Sequence, residues 1–365
     1  MKDKTFAQNL LAWYRKNARD LPWRRTSDPY KIWISEIMLQ QTTVNAVIPY
    51  YERWIKAFAR IQDVAEADLQ TILTYWQGLG YYQRAKNIHK SAQAICQHYH
   101  GKIPDDPLIL KKLPGFGPYT IGAVLSIAFS KRVPIIDANV RRFVMRLLAI
   151  QGHADPSQDE KILDFIEDVM PVKAMNFFNQ ALMEMGALVC RSNEPVCILC
   201  PVKSNCLAYQ KGIQELIPTA KVKDIKDIQA VIAVLQKGNQ FYIQKRPSKG
   251  LLADLWEFPG GKIERGETSQ QALARELKEE LNTKLVSSSQ IMNVQHFYTE
   301  FRVKLNVFSC QVKESLHNDP THQWVTLEEL KKYPMPSGSA KIVEKLKQLH
   351  ARSSREQAEQ LLLEA

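Results

Sequence analysis

Residues 190–206 read CRSNEPVCILCPVKSNC, and four of the chain's six cysteines fall inside that stretch. The spacing is C-x6-C-x2-C-x5-C, through Cys190, Cys197, Cys200 and Cys206. Four thiolates in one compact loop can ligate Zn²⁺ or an iron–sulfur cluster. Structural zinc usually pairs two C-x2-C knuckles, and only one occurs here. Unligated thiols would leave the concentration unexplained. The opening, MKDKTFAQNLLAWYRKNARD, is amphipathic and charged throughout, without the apolar core and cleavage site of a signal peptide. No run of eighteen apolar residues exists, so no membrane span is expected. A reducing cytosol is then the default, where clustered cysteines favour a metal over disulfides.

A chain of 365 residues has room for two or three domains with real cores. Its net charge of +11 is unevenly placed: residues 1–150 carry 22 Lys and Arg against 11 Asp and Glu, and the remainder carries 27 of each sign. The basic half fits either a solvated surface or the footprint of a polyanion such as DNA or RNA. From about 5 to 190 the apolar residues recur at helical spacing, as in DPYKIWISEIMLQQTTVNAVIPYYERWI and TIGAVLSIAF. IPTAKVKDIKDIQA (217–230) is polar and lysine-rich, as a linker would be. Beyond it, AVIAVLQKGNQFYIQKR alternates like a hairpin with Gly238-Asn239 at its turn. TSQQALARELKEELN reads as a helix and FRVKLNVFSCQV as another strand. The expected architecture is an all-α domain over 1–213, a linker over 214–228, a smaller α/β domain over 229–350 and a polar tail over 351–365.

Three further motifs carry chemistry. LPGFGPYT (113–120) sits between apolar helical segments; Gly115 and Gly117 permit positive φ and a tight reversal. A helix starting there points free N–H groups outward at an anion, the pattern of a helix-hairpin-helix gripping a phosphate backbone. Leu113 and Thr120 complete that element, and a plain turn between core helices is the alternative. In PIIDANVRRF (134–143), Asp137 and Asn139 stand where a helix cap would. In WISEIMLQQT (33–42), Glu36 lies between Ile34 and Ile37, and a carboxylate in such a setting must be paired, protonated or functional. Burial would raise its pKa and suit it to general acid work.

The cysteine spacing resembles the iron–sulfur loop of the endonuclease III superfamily of DNA glycosylases, and it sits where that superfamily carries it, after the last helices of the catalytic domain. The resemblance implies a structural [4Fe–4S] cluster, with Arg191 and Lys203 presented near DNA phosphates. In bifunctional members a lysine fills the slot of Tyr119 and attacks the sugar. A phenol cannot form an imine, so base removal without strand cleavage is expected. Two carboxylates then divide the labour: Glu36 protonates the leaving base and later helps water attack, and Asp137 stabilises the oxocarbenium-like transition state.

LPWR (21–24), SEIMLQQT (35–42), GLGYYQRAKNIH (78–89), LPGFGPYT and DANVRR together resemble the MutY family of adenine DNA glycosylases. That family's activity implies excision of adenine mispaired with 8-oxoguanine or guanine. The target base must first be flipped out of the stack. By position Glu36 would be the general acid, Asp137 the stabiliser and Tyr119 an auxiliary phenol. Gln41 and Tyr81 match its intercalating residues; Leu21, Trp23, Arg24 and Gln180 fall where it builds an adenine pocket.

Residues 251–283, LLADLWEFPGGKIERGETSQQALARELKEELNT, resemble a Nudix box beginning at Gly261. Glu267, Arg275, Glu276, Glu279 and Glu280 are in place; Asn282 and Thr283 depart from the pattern. On a helix, residues 276, 279 and 280 face one way, as a Mg²⁺ site requires. In adenine glycosylases such a domain reads 8-oxoguanine rather than hydrolysing nucleotides. Tyr298, Thr299 and Glu300 stand where the family carries Phe-Ser-His, so a hydroxyl is kept and a carboxylate replaces the histidine. Two other readings stay open: a Mg²⁺-dependent nucleotide pyrophosphohydrolase with a DNA-binding helical half, and a glycosylase/lyase for oxidised pyrimidines. The expected setting is the bacterial cytosol, with a monomer on double-stranded DNA.

Overall fold

The computed structural model describes residues 4–221, 224–298 and 300–363. They form two compact units, one of residues 1–67 with 86–222 and one of residues 68–85 with 223–365.

The first unit is helical: α1 (Lys4–Asn17), α2 (Pro29–Leu39), α3 (Val44–Ala57) and α4 (Ile61–Glu66) precede residues 68–85; α6 (Gln83–Tyr99) from Lys86 onward, α7 (Pro107–Leu110), α8 (Pro118–Ile127), α9 (Ala138–Leu147), α10 (Asp159–Val169), α11 (Met175–Leu188) and α12 (Leu207–Gln210) follow them. α5 (Leu69–Trp76) belongs to the second unit. The starts of the helices are set by local chemistry. The Asp28 side chain accepts from Tyr30 N with Pro29 in the first turn of α2, and Asp137 caps α9 by accepting from Val140 N. A core of Leu10, Phe143, Phe178 and Leu182 joins α1, α9 and α11. Gly186 of α11 makes that packing close: a Cβ there would lie 2.6 Å from Asn139 Cβ.

The second unit contains strands β1 (Lys226–Lys237), β2 (Gln240–Lys245), β3 (Trp256–Glu257), β4 (Gly260–Lys262), β5 (Leu285–Tyr298), β6 (Phe301–Val312) and β7 (His322–Thr326). Its other helices are α13 (Ser269–Leu281) and α14 (Ser337–Leu363). The sheet order is β3-β2-β1-β6-β5, with β4 pairing β1 and β7 pairing β2. β1 and β6 run parallel, from Lys226 opposite Phe301 to Leu235 opposite Cys310. Successive residues of β1 face opposite sides. Val231, Ala233 and Leu235 pack with Leu273 and Leu277 of α13, and Ile232 and Val234 with Ile342 and Leu346 of α14. Burial on both faces explains the unbroken apolar run AVIAVL. Gly238 (φ 60) makes the expected β1–β2 turn, with Lys237 opposite Gln240.

The stretch read as a linker over 214–228 is structured at both ends. Ile217 is 1% exposed within the helical core, Thr219 N donates to Gly152 O, and β1 already pairs from Lys226. Val222 and Lys223 lie outside the described residues. Residues 68–85, read as part of the helical domain, pack in the second unit, where the Trp256 indole donates to Gln70 Oε1 and the Tyr82 hydroxyl to Met335 O.

Candidate active site

α2 is buried nearly all round, through Ile32, Trp33, Ile34, Ile37 and Met38, and Glu36 is only 4% exposed. The carboxyl opens on a cavity of about 830 Å³, which Tyr119 and Asp137 also line. The Tyr119 hydroxyl donates to Glu36 Oε2 at 2.6 Å and lies 3.4 Å from Met183 Sδ. Burial pushes Glu36 up to about 7; the Tyr119 hydrogen bond and Arg24 oppose the rise and the Asp137 carboxyl adds to it. Burial and the adjacent carboxylate hold the Tyr119 phenol well above its ordinary range.

Asp137 is also pushed up by burial, but its surroundings oppose this. Oδ1 accepts from Val140 N at 2.6 Å and Oδ2 from Asn139 Nδ2 at 3.0 Å. Both oxygens sit at the N-terminus of α9, where the helix dipole favours an anion. The two carboxyls therefore divide: Glu36 keeps its proton near neutrality and Asp137 is the better anion. Asn139 Oδ1 in turn accepts from Arg142, whose guanidinium also donates to Gly186 O and Cys190 O. Gly186→Ala would therefore press on Asn139. It is expected to destabilise the protein by about 1–3 kcal/mol and to displace Asp137, read as a lower Tm together with slower base release.

The expected pocket residues converge. Leu21, Trp23, Arg24, Gln180, Gln41 and Asn139 all line the same cavity. Gln180 is pinned, accepting from Tyr14 OH at 3.1 Å and donating to Asn176 O at 2.7 Å. Gln41 is exposed at a left-handed φ of 56, and Tyr81, in the second unit, has a φ of 48. A non-glycine residue pays about 1–3 kcal/mol for such strain, which clusters at functional positions.

The hairpin differs from expectation in detail. Gly115 has the positive φ of 82, whereas Gly117 caps α8 at φ −78 and needs no such freedom. A Cβ at Gly117 would meet nothing within 4 Å, so an open backbone is what glycine provides there. Leu113 and Thr120 are 7% and 1% exposed. Thr120 accepts from Gln40 Nε2, so its side chain is held within the fold.

Sequence reading missed three groups. Glu184 of α11 is fully buried and bridges Arg19 and Arg24 at the cavity wall. Gly186 permits the close approach to Asn139. Arg146, 1% exposed, donates to Arg191 O, Ser192 O and Ile217 O and lies 3.4 Å from Cys190 Sγ, organising the cysteine loop from α9. A lone charge in an apolar helical run was the available signal in MEMGAL and RLLAI.

Cys190, Cys197, Cys200 and Cys206 line one small cavity with Arg146. Among the described residues no three His, Cys, Asp or Glu side chains gather tightly enough to hold a single ion. Four thiols around a shared space are a donor set of the kind that an iron–sulfur cluster or a structural metal takes. Glu276, Glu279 and Glu280, the possible vestigial Mg²⁺ site, share the face of α13, and the same finding gives that site no support. Glu276 and Glu279 accept from Arg275 at 2.9 and 3.2 Å; Glu280 accepts from Gly260 N, and burial raises it to about 7. Tyr298 ends β5, Glu300 is exposed in the turn before β6, and Thr299 lies outside the described residues.

The HhH-GPD superfamily base excision DNA repair protein family matches residues 34–168, and a NUDIX domain matches residues 230–345. A solved thermostable thymine-DNA glycosylase is 29% identical with a TM-score of 0.52, over 57% of this chain and 97% of that one. Fold and pocket thus define a helix-hairpin-helix base-excision glycosylase with a Nudix-like α/β domain. Adenine DNA glycosylase of Buchnera aphidicola subsp. Acyrthosiphon pisum (strain APS) is 34% identical over 94% of this chain and 97% of its own length. That of Mus musculus is 30% identical over 89% of this chain and 74% of its own. The chain belongs to the adenine DNA glycosylase family and is a DNA repair enzyme. Among its described residues no helix is long and apolar enough to cross a membrane.

Proposed function

We propose that the chain removes adenine opposite 8-oxoguanine or guanine in duplex DNA and leaves the strand uncut. One observation carries the reading: Glu36, protonated near neutrality, shares its cavity with Asp137 and is held by the Tyr119 hydroxyl. Adenine flips into the cavity as Gln41 and Tyr81 fill the space it leaves. Tyr119 occupies Oε2 of Glu36, so Oε1 is the oxygen free to carry the proton to the departing base. As the glycosidic bond breaks, positive charge grows on the sugar and the Asp137 carboxylate stabilises it. Glu36, now ionised, takes the proton of the attacking water and is restored. Asn139 holds Asp137 in place, and Leu21, Trp23, Arg24 and Gln180 shape the pocket.

The hairpin grips the phosphate backbone through the main chain at Gly115 and Gly117, supported by Leu113 and Thr120. The Nudix-like domain reads the opposing 8-oxoguanine through Tyr298, Thr299 and Glu300. The four cysteines hold a [4Fe–4S] cluster that stiffens the loop carrying Arg191 and Lys203. The enzyme works as a monomer in the cytosol. A duplex with one A opposite 8-oxoguanine, treated with protein and then with alkali, tests the reaction: cleavage at the adenine is expected after alkali and none before it. Borohydride trapping of a covalent adduct would overturn the monofunctional mechanism. Cys197→Ser is expected to lose the brown colour and about four irons per chain, together with DNA binding. A colourless wild-type protein holding one zinc would refute the cluster.

A further inference from the structure

We infer that Glu184 is a positioning residue, a single buried carboxylate that gathers Arg19 and Arg24 and through them sets part of the wall of the cavity that Glu36 also lines. The inference rests on the reading that this pocket excises a base. A buried charge must be paired or neutralised, and Glu184, with a fully buried side chain, is paired twice. It accepts from Arg19 N, Nε and Nη2 at 2.9, 2.8 and 2.7 Å, and from Arg24 Nη1 and Nη2 at 3.0 and 2.8 Å. Although burial pushes the carboxyl up, the two guanidiniums hold it down at about 2, so it is an anion throughout the working range.

Two cations on one anion leave the wall with a single net positive charge. Arg24 Nη1 also donates to Arg19 O at 3.0 Å, so both terminal nitrogens of its guanidinium are held by the protein. Its guanidinium stands 5.6 Å from the Tyr14 ring centroid, and Tyr14 donates to Gln180. One carboxylate thus fixes a series of groups ending at the pocket amide. Arg24 meets the substrate as a fixed charge that suits the ring lone pairs of a purine. The same charge acts on Glu36, which otherwise faces Tyr119 from α8 and Asp137 from the cap of α9. Core neutralisation alone does not account for the arrangement, because both arginines line the cavity.

Glu184→Gln and Glu184→Asp are compared with wild type by single-turnover base release across roughly pH 5–9, with DNA affinity and circular dichroism measured alongside. Glu184→Gln is expected to keep the fold and DNA affinity and to slow release about 100-fold. Its alkaline limb moves to lower pH, because two unneutralised arginines favour ionised Glu36. Glu184→Asp keeps the charge but not the reach: release slows about 10-fold with the limb unmoved. A native rate and native limb in Glu184→Gln overturns the inference. If that variant does not fold, a native rate in Glu184→Asp overturns it. Wild type is scored on each of the four bases opposite 8-oxoguanine. Release of a different base removes the adenine reading alone, and the same comparison on that base still decides for or against Glu184; release of none overturns both.

Discussion

Glu36→Gln slows adenine release by about 10³-fold, the scale of a lost general acid, while affinity for the mispaired duplex stays within a few-fold. Glutamine keeps the shape and the Tyr119 contact but has no proton to give. In the wild type, release falls as pH rises through about 7, where Glu36 loses its proton. Stability falls over the same rise in pH. A carboxyl raised from 4.5 to about 7 in the folded state is ionised more readily in the unfolded one. The folded state is therefore unaffected below about pH 4.5 and penalised by up to about 2–4 kcal/mol above pH 7. Glu36→Gln removes that penalty. Its melting temperature should match wild type near pH 4 and exceed it near pH 8. An active variant would show that Glu36 is an ordinary core residue, and one no more stable at high pH would show that its carboxyl is not raised.

Asp137→Asn separates the two duties of Asp137. Asparagine caps a helix about as well as aspartate, so stability should change by only a few tenths of a kcal/mol. It carries no charge to oppose the cation forming on the sugar, so release should fall by about 10²–10³-fold. Asp137→Ala should lose the same activity and a further ~1 kcal/mol of stability with the cap. Single-turnover rates and thermal melts on both variants check this. Equal activity in wild type and Asp137→Asn would leave the aspartate a cap and nothing more.

Much of the site was legible because its chemistry is written in short segments. SEIMLQQT, LPGFGPYT and DANVRR deliver Glu36, Tyr119 and Asp137 to one cavity, each from the start or body of one helix. What escaped reading depends on partners far along the chain. Glu184 looks like one polar residue on an amphipathic helix until Arg19 and Arg24, about 160 positions earlier, are placed against it. Gly186 is informative only once Asn139 is beside it. The strand beginning at Lys226 hides in a lysine-rich stretch because its partner is β6, some 75 residues on, and parallel pairing leaves no local turn to signal it. The carboxylates of α13 make a related point. Spacing places Glu276, Glu279 and Glu280 on one face of a helix, but cannot show that each has one oxygen accepting from Arg275 or Gly260.

The membership of residues 68–85 in the second unit has a bearing on synthesis. Gln70 and Tyr82 meet Trp256 and Met335, and Trp256 leaves the ribosome roughly 170 residues after residue 85. At about 5–20 residues per second, that is a wait of roughly ten to thirty seconds. During it Gln70 and Tyr82 lack the two partners they meet in the folded unit, so the α5 segment cannot reach its final packing until most of the chain has been made.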